Sequence, residues 1–359
     1  MVWLLFCFME INKLSDNNKI AFITCVSDER AYEESVNYIE HLRIPDGYEV
    51  ESFGISEAKS MTSGFNYAMK MSDAKYKVYL HQDVMIVNPE FICEMLRIFE
   101  RDDRIGLIGM VGCRNLAPNA LAVAVWDEGA VYHNGVPSVL SYGDNSSLYT
   151  EVDAVDGLLM CTQVDLEWRE DLFDAWDFYD ISQCMEMKRA GYKCVVPNIT
   201  DPWVFHDNDY SKMSKYYKYR DIFVDEYQDI KTWIKVSPSA QKAAYDKMKD
   251  ATRAQMIAMV NAGQKEQIVQ LFSDDNMRGY LHLVTFELLA EIVLYQQNAF
   301  EDKNVFWSNE RYNEILSKIR EVKFALNRRR FGIEDDVEKY EVMYGAKIVE
   351  IVEFYLNKV

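Results

Sequence analysis

The chain has 359 residues and a formal net charge of -19, more than one hydrophobic core usually serves, so two domains are expected. About half of it is hydrophobic (49%), which implies a folded protein, and the acidic balance excludes a general nucleic-acid binder, whose footprint is a basic face. Its seven cysteines are scattered without CxxC spacing, which argues against a disulfide framework or a zinc site and for a reduced, cytoplasmic protein.

Residues 1–18 read as an apolar leader outside the core. MVWLLFCFM is well short of the ~20 residues that span a bilayer, and it lacks the basic start and small-residue cleavage site of a secretory signal. From Lys19 a regular alternation begins. KIAFITCV is a strand, SDERAYEESVNYIEHL a helix, YEVESFGI a strand and SMTSGFNYAMKM a helix with Met61, Phe65 and Ala68 or Met69 on one face. KVYL is a strand, PEFICEMLRIFERD a helix opening at Pro89, and IGLIGMVG a further strand. Strand and helix in turn imply a mostly parallel sheet with helices on both faces.

Residues 113–150 are rich in Gly, Asn, Ser and Pro and read as loops with short strands around LAVAVW and GAVYHNG. EVDAVDGLLMCT restores order, DISQCMEMKRAG is a helix that Gly191 can cap in the left-handed conformation, and YKCVVPN is a strand followed by DPWVFHDND. Beyond about residue 210, long segments of helical period take over without a fixed repeat. The expected organisation is an α/β domain over 19–209 and an all-helical domain over 210–359.

In open parallel sheets ligands bind outside the carboxyl ends of strands. KVYL ends there in His81, Gln82 and Asp83, a polar cluster that a buried strand has no reason to carry. Burying a carboxylate costs several kcal/mol unless a cation or donor compensates. Two readings stay open at this stage: the triplet caps the next turn, or Asp83 with an imidazole holds a divalent metal. The segment WREDLFDAWDFYDISQ adds Glu170, Asp171, Asp174, Asp177 and Asp180, the ordinary fate of which is solvation or helix capping. GxGxxG, Walker A, GxSxG and HExxH are all missing from the sequence, which lowers the case for dinucleotide, P-loop, hydrolase and zincin chemistry.

NYAMKMSDAKYKVYLHQDV, WDFYDISQCMEMKRAGYK and PWVFHD, taken in that order, resemble the family 2-type glycosyltransferases of GT-A fold. The resemblance is to a bacterial subgroup with His in the first position of the DxD motif, and it covers roughly 19–208. It implies a GT-A-like (Rossmann-like) domain that transfers a sugar, with inversion, from a nucleotide-diphosphate sugar, a UDP-sugar being the expected donor. The acceptor would be a glycan or lipid-linked hydroxyl, in cell-surface or capsular glycan synthesis. Mn²⁺ or Mg²⁺ would sit on Asp83, with His81 and His206 as further ligands; His81 in place of a carboxylate removes one negative charge from that site. The family's general base falls on Asp180, with Asp177 as its competitor. Asp156 would meet sugar hydroxyls, and Thr24, Val26, Ser27 and Asp28 the base and ribose. Lys59 would face phosphate, and Asn66, His81 and Gln82 complete the donor site. Trp176 and Trp203 suit either a sugar face or core packing. The basic run NRRRFG near residue 330 suits an anionic headgroup at the inner membrane face, and equally the dipole of a helix C-terminus. The helical domain is the expected surface for any oligomer. Two rivals are a nucleotidyltransferase and a catalytically silent scaffold.

Overall fold

A computed structural model describes residues 16–120, 126–133, 136–140, 147–207 and 215–234, together with 258, 262, 324, 327, 328 and 330–333. The residues of LAVAVW before Trp126, most of the expected leader and most of the expected helical domain lie outside the described residues.

The first half alternates as the periodicity predicts. β1 (Asp16–Val26) leads into α1 (Glu29–Glu40), β2 (Glu49–Ser56), α2 (Met61–Met71) and β3 (Ala74–Leu80). β1 starts within the segment read as leader. α1 begins because Asp28 accepts from the amides of Arg30 and Ala31, and α2 because Ser60 and Ser63 form a reciprocal capping box. β4 (Val84–Ile86), α3 (Phe91–Phe99), β5 (Ile105–Gly109) and β6 (Val111–Cys113) follow. α3 starts at Phe91 rather than Pro89, since Asn88 and Pro89 form the turn that precedes it.

The single strand expected for IGLIGMVG is two. β5 stays in the main sheet, and β6 leaves it to pair with β7 (Glu128–His133) and β10 (Ala154–Val155). Gly109 stands at the break, where a Cβ would overlap the Val155 side chain. β8 (Val136–Val139) pairs with β7, and β9 (Tyr149–Val152) and β11 (Leu159–Thr162) join the main sheet.

α4 (Tyr179–Arg189) ends as read. Gly191, at φ +85°, donates to the Lys188 carbonyl and Tyr192 to that of Met187, a Schellman closure. β12 (Lys193–Pro197), the short β13 (Val204–His206) and α5 (Tyr216–Glu226) complete the described elements.

The main sheet runs β2-β1-β3-β11-β5-β12-β9. β2, β1, β3, β5 and β12 point one way, and β11 and β9 run against them. Both faces are covered, which explains why the strands read as continuous apolar runs. Along β1, Ala21, Ile23 and Cys25 face the core under α2 and α4, while Ile20 and Phe22 face the core under α3. The chain thus forms the mixed α/β, GT-A-like fold that the resemblance implies. A second sheet, β10-β6-β7-β13-β4, lies beside it.

α5 corrects the expected boundary after residue 209. Tyr216, Tyr219, Phe223 and Tyr227 share the core of α2 and α4, and Arg169 and Arg189 both pair with Glu226. NRRRFG is likewise drawn in: Arg328 pairs with the buried Glu34 of α1, and Phe331 packs on Tyr132 and Phe205. Among the described residues no helix is long and apolar enough to cross a membrane.

Candidate functional site

β3 delivers His81 at its carboxyl end, and β11, antiparallel to it, starts opposite Leu80. The His81 amide donates to the Leu158 carbonyl at 3.0 Å, so the 156–158 turn lies against the triplet. Three residues on, β4 begins and pairs with β13, where His206 stands opposite Val84, and the Asp207 amide donates to the Asp83 carbonyl at 2.8 Å. The second pairing sets His81 beside His206, 125 positions further on.

The result is a compact donor cluster. His81 Nδ1 lies 3.5 Å from His206 Nε2 and 4.0 Å from Asp83 Oδ1, and His206 Nε2 lies 3.6 Å from the same oxygen. Ligands about 2.0–2.2 Å from one ion stand roughly this far apart, and imidazole with carboxylate is a donor set for a divalent cation. His81, Asp83 and His206 therefore fit such an ion geometrically. Burial would raise the Asp83 carboxyl, but the imidazoles of His206 and His81 outweigh it and hold it low. Burial lowers His81; it also opposes protonation of His206, where the Asp83 carboxylate prevails and raises the pKa.

Gln82 faces away from this cluster. Its Oε1 accepts from the amides of Ser27 and Asp28 at 2.7 and 2.9 Å, and its Nε2 donates to the Ser27 hydroxyl at 3.0 Å. The triplet and the loop after β1 are thereby joined. Val26 is half-buried and Ser27 exposed at that loop, whereas Thr24 is 1% exposed inside β1. Lys59 is exposed one residue before the α2 cap, at the same edge of the sheet, and no hydrogen bond or ion pair among the described residues joins it to the others. Asn66 is 4% exposed in the middle of α2, and its amide both donates to the Trp168 carbonyl and accepts from the Trp168 amide. That occupies it in holding the 166–170 segment rather than a donor.

The WDFYD segment supplies the other half of the site. Phe178 takes φ +65°, a left-handed conformation rare for an aromatic residue, immediately before α4. Tyr179 then reaches His81, its hydroxyl 2.5 Å from Nε2. Asp180 accepts from the Gly157 amide at 3.0 Å and from the Ile181 amide at 2.8 Å. Burial, followed by the neighbouring Asp156 carboxylate, pushes the Asp180 carboxyl up to about 7. Asp156 holds the turn through the Leu158 amide at 3.0 Å. Asp177 is half-buried and also raised by burial, with Lys215 opposing, but no hydrogen bond among the described residues ties it to the cluster.

Several acidic neighbours are structural. Asp153 pairs with Lys188 and Lys231, Asp171 with Arg169, and Asp174 accepts from the Tyr219 hydroxyl. Trp203 is 7% exposed against Phe91, a core residue rather than a sugar platform, whereas Trp176 is 51% exposed beside Asp177. Sequence reasoning missed Tyr179 and Gly157; the pairing of an aromatic with Asp180 at a helix start was the available signal for the first.

A cation-type donor cluster thus stands near a carboxyl raised by burial, at the carboxyl ends of a mostly parallel sheet. The glycosyltransferase-like family matches residues 21–227, more than half the chain, so the chain belongs to that family and is a glycosyltransferase. The match extends through α5, as the packing does.

No curated protein matches the chain in sequence. Among solved structures it is similar to β-1,4-galactosyltransferase 7 from Drosophila, determined with manganese, UDP-Gal and xylobiose (10% identity, 63% of this chain and 79% of that one, TM-score 0.35). It is also similar to S. aureus TarS (10%, 77% and 80%, TM-score 0.36). A third is the mannosyltransferase PcManGT from Pyrobaculum calidifontis with GDP-Man and Mn²⁺ (10%, 96% and 87%, TM-score 0.36).

Proposed function

We propose that this glycosyltransferase moves a sugar from a nucleoside-diphosphate donor, a UDP-sugar first among them, to a hydroxyl of a glycan or lipid-linked acceptor, with inversion. The observation that carries the reading is the meeting of the His81, Asp83 and His206 cluster with the raised Asp180 carboxylate at one edge of the sheet. Asp83, His81 and His206 would hold Mn²⁺ or Mg²⁺, which supplies Lewis-acid charge to the leaving diphosphate.

Asp180 acts as the general base. Each of its oxygens accepts one backbone amide, so each keeps a lone pair for the acceptor proton, and a pKa near the working pH suits proton transfer. It takes that proton as the acceptor oxygen bonds to the anomeric carbon and the bond to the diphosphate breaks. Asp156 orients sugar hydroxyls, the Val26, Ser27 and Asp28 loop receives base and ribose, and Lys59 lies toward phosphate. Asp177 and Trp176 line the acceptor side.

Thermal shift and calorimetry with a panel of nucleoside diphosphates, with and without Mn²⁺, test this on wild type and Asp83→Ala. One nucleotide should stabilise the wild type in a Mn²⁺-dependent way, and the variant should lose that dependence. A wild type indifferent to every nucleotide sinks the reading and leaves a silent scaffold.

A further inference from the structure

The two ring nitrogens of His81 face different chemistry. Nδ1 looks into the cluster, 3.5 Å from His206 Nε2 and 4.0 Å from Asp83 Oδ1; Nε2 looks away from it, onto the Tyr179 hydroxyl. A neutral imidazole carries one proton, so Nδ1 can offer a lone pair to a cation only while that proton sits on Nε2. A proton on Nε2 points toward an acceptor, and the Tyr179 oxygen stands 2.5 Å away.

The phenol is held there by its surroundings. Tyr179 is 4% exposed, with the rings of Phe65 and Trp168 at 6.0 and 6.2 Å. Gly157 passes so close that a Cβ at that position would overlap the Tyr179 hydroxyl. The left-handed Phe178 turns the chain so that Tyr179 reaches His81 while Asp180 reaches the Gly157 amide.

We propose that Tyr179 is a positioning residue: its hydroxyl accepts a hydrogen bond from the His81 Nε2–H and so commits the Nδ1 lone pair to the cation shared with Asp83 and His206. This rests on the reading that the cluster holds a divalent ion. It also gives the ion site and the base a common mount, because the residues that serve them are adjacent at the start of α4. A metal-bound histidine characteristically donates its other ring N–H, and loss of that partner weakens metal affinity by about 10- to 100-fold.

The test is Tyr179→Phe, which removes one oxygen and keeps the ring. Calorimetric titration with Mn²⁺ alone should show affinity falling by about 10- to 100-fold, with far-UV circular dichroism unchanged. Independently of that variant, ¹⁵N–¹H NMR of the metal-free wild type should find the His81 proton on Nε2, and in Tyr179→Phe that signal should broaden or divide between the two nitrogens. Equal Mn²⁺ affinity in the variant, or a wild-type proton on Nδ1, overturns this inference and leaves the cation reading intact. A wild type that binds no Mn²⁺ overturns the cation reading and this inference with it.

Discussion

Asp83 and Asp180 are half-buried carboxylates in one site, and their surroundings drive them in opposite directions. Around Asp83 burial is outweighed by two imidazoles, and the carboxyl is held low. Around Asp180 burial is reinforced by the Asp156 carboxylate, and two backbone amides only partly offset it, so the carboxyl rises to about 7. The first is suited to holding positive charge at all working pH values, the second to exchanging a proton. Carboxylates separated in this way by environment take separate roles, and the separation assigns them better than position in the sequence does.

The largest way to break that contrast is Asp180→Asn. Loss of general-base catalysis is worth about 10²- to 10⁴-fold, so turnover should fall by that much while nucleotide binding persists, measured by steady-state assay beside calorimetry. Turnover that survives in Asp180→Asn and vanishes in Asp177→Asn would transfer the role to Asp177. The pH profile adds a second check. A base works ionised, so the rate should rise with pH and level off above about 7, falling about tenfold per pH unit below it. Asp177→Asn should leave that limb where it is.

Linkage gives a subtler comparison, with opposite signs at the two positions. The Asp83 pKa is lower folded than unfolded, so its contribution to stability is present above the unfolded value of about 3.9 and lost as pH falls through the folded one. The Asp180 pKa is higher folded, about 7. Its contribution is present below about 3.9 and lost as pH rises toward 7. In urea unfolding with EDTA, Asp83→Asn should therefore lose ground against wild type as pH rises toward about 4, and Asp180→Asn should gain it as pH rises from about 4 to 8. Slopes of the same sign would mean that the two environments are not distinct.

The main sheet was legible in the sequence because its inner strands are buried on both faces and α1 and α2 carry their own N-caps. The joining of His81 and Asp83 with His206 was legible only through the order of three motifs, since β4 and β13 have three residues each and no measurable period. The sheet change at Met110 was hidden inside an apolar run, because the partners that pull β6 away lie beyond Trp126. Tyr179 and Phe178 look alike to any hydrophobic pattern; which one reaches His81 depends on a backbone angle. Trp203 shows the same ambiguity, since a core indole and a sugar platform read identically. The α5 boundary was missed because its ion partners, Arg169 and Arg189, lie on or before α4, outside any local window.

The smallest expected effect, and the finest probe of the contrast, is Asp156→Asn. Burial is the larger cause of the raised Asp180 carboxyl and Asp156 the next, so removing the Asp156 charge should lower the acid limb of the rate profile without abolishing it. The new limb should lie below 7 and above the ordinary carboxylate value of about 3.9. Asparagine keeps the side-chain oxygen that accepts the Leu158 amide, so the 156–158 turn is preserved and the change is chiefly one of charge. A rate profile of the variant from pH 4 to 9 reads it directly. A limb that stays at about 7 would mean that burial alone raises Asp180, and one that moves upward would contradict the electrostatic pairing of these two carboxylates.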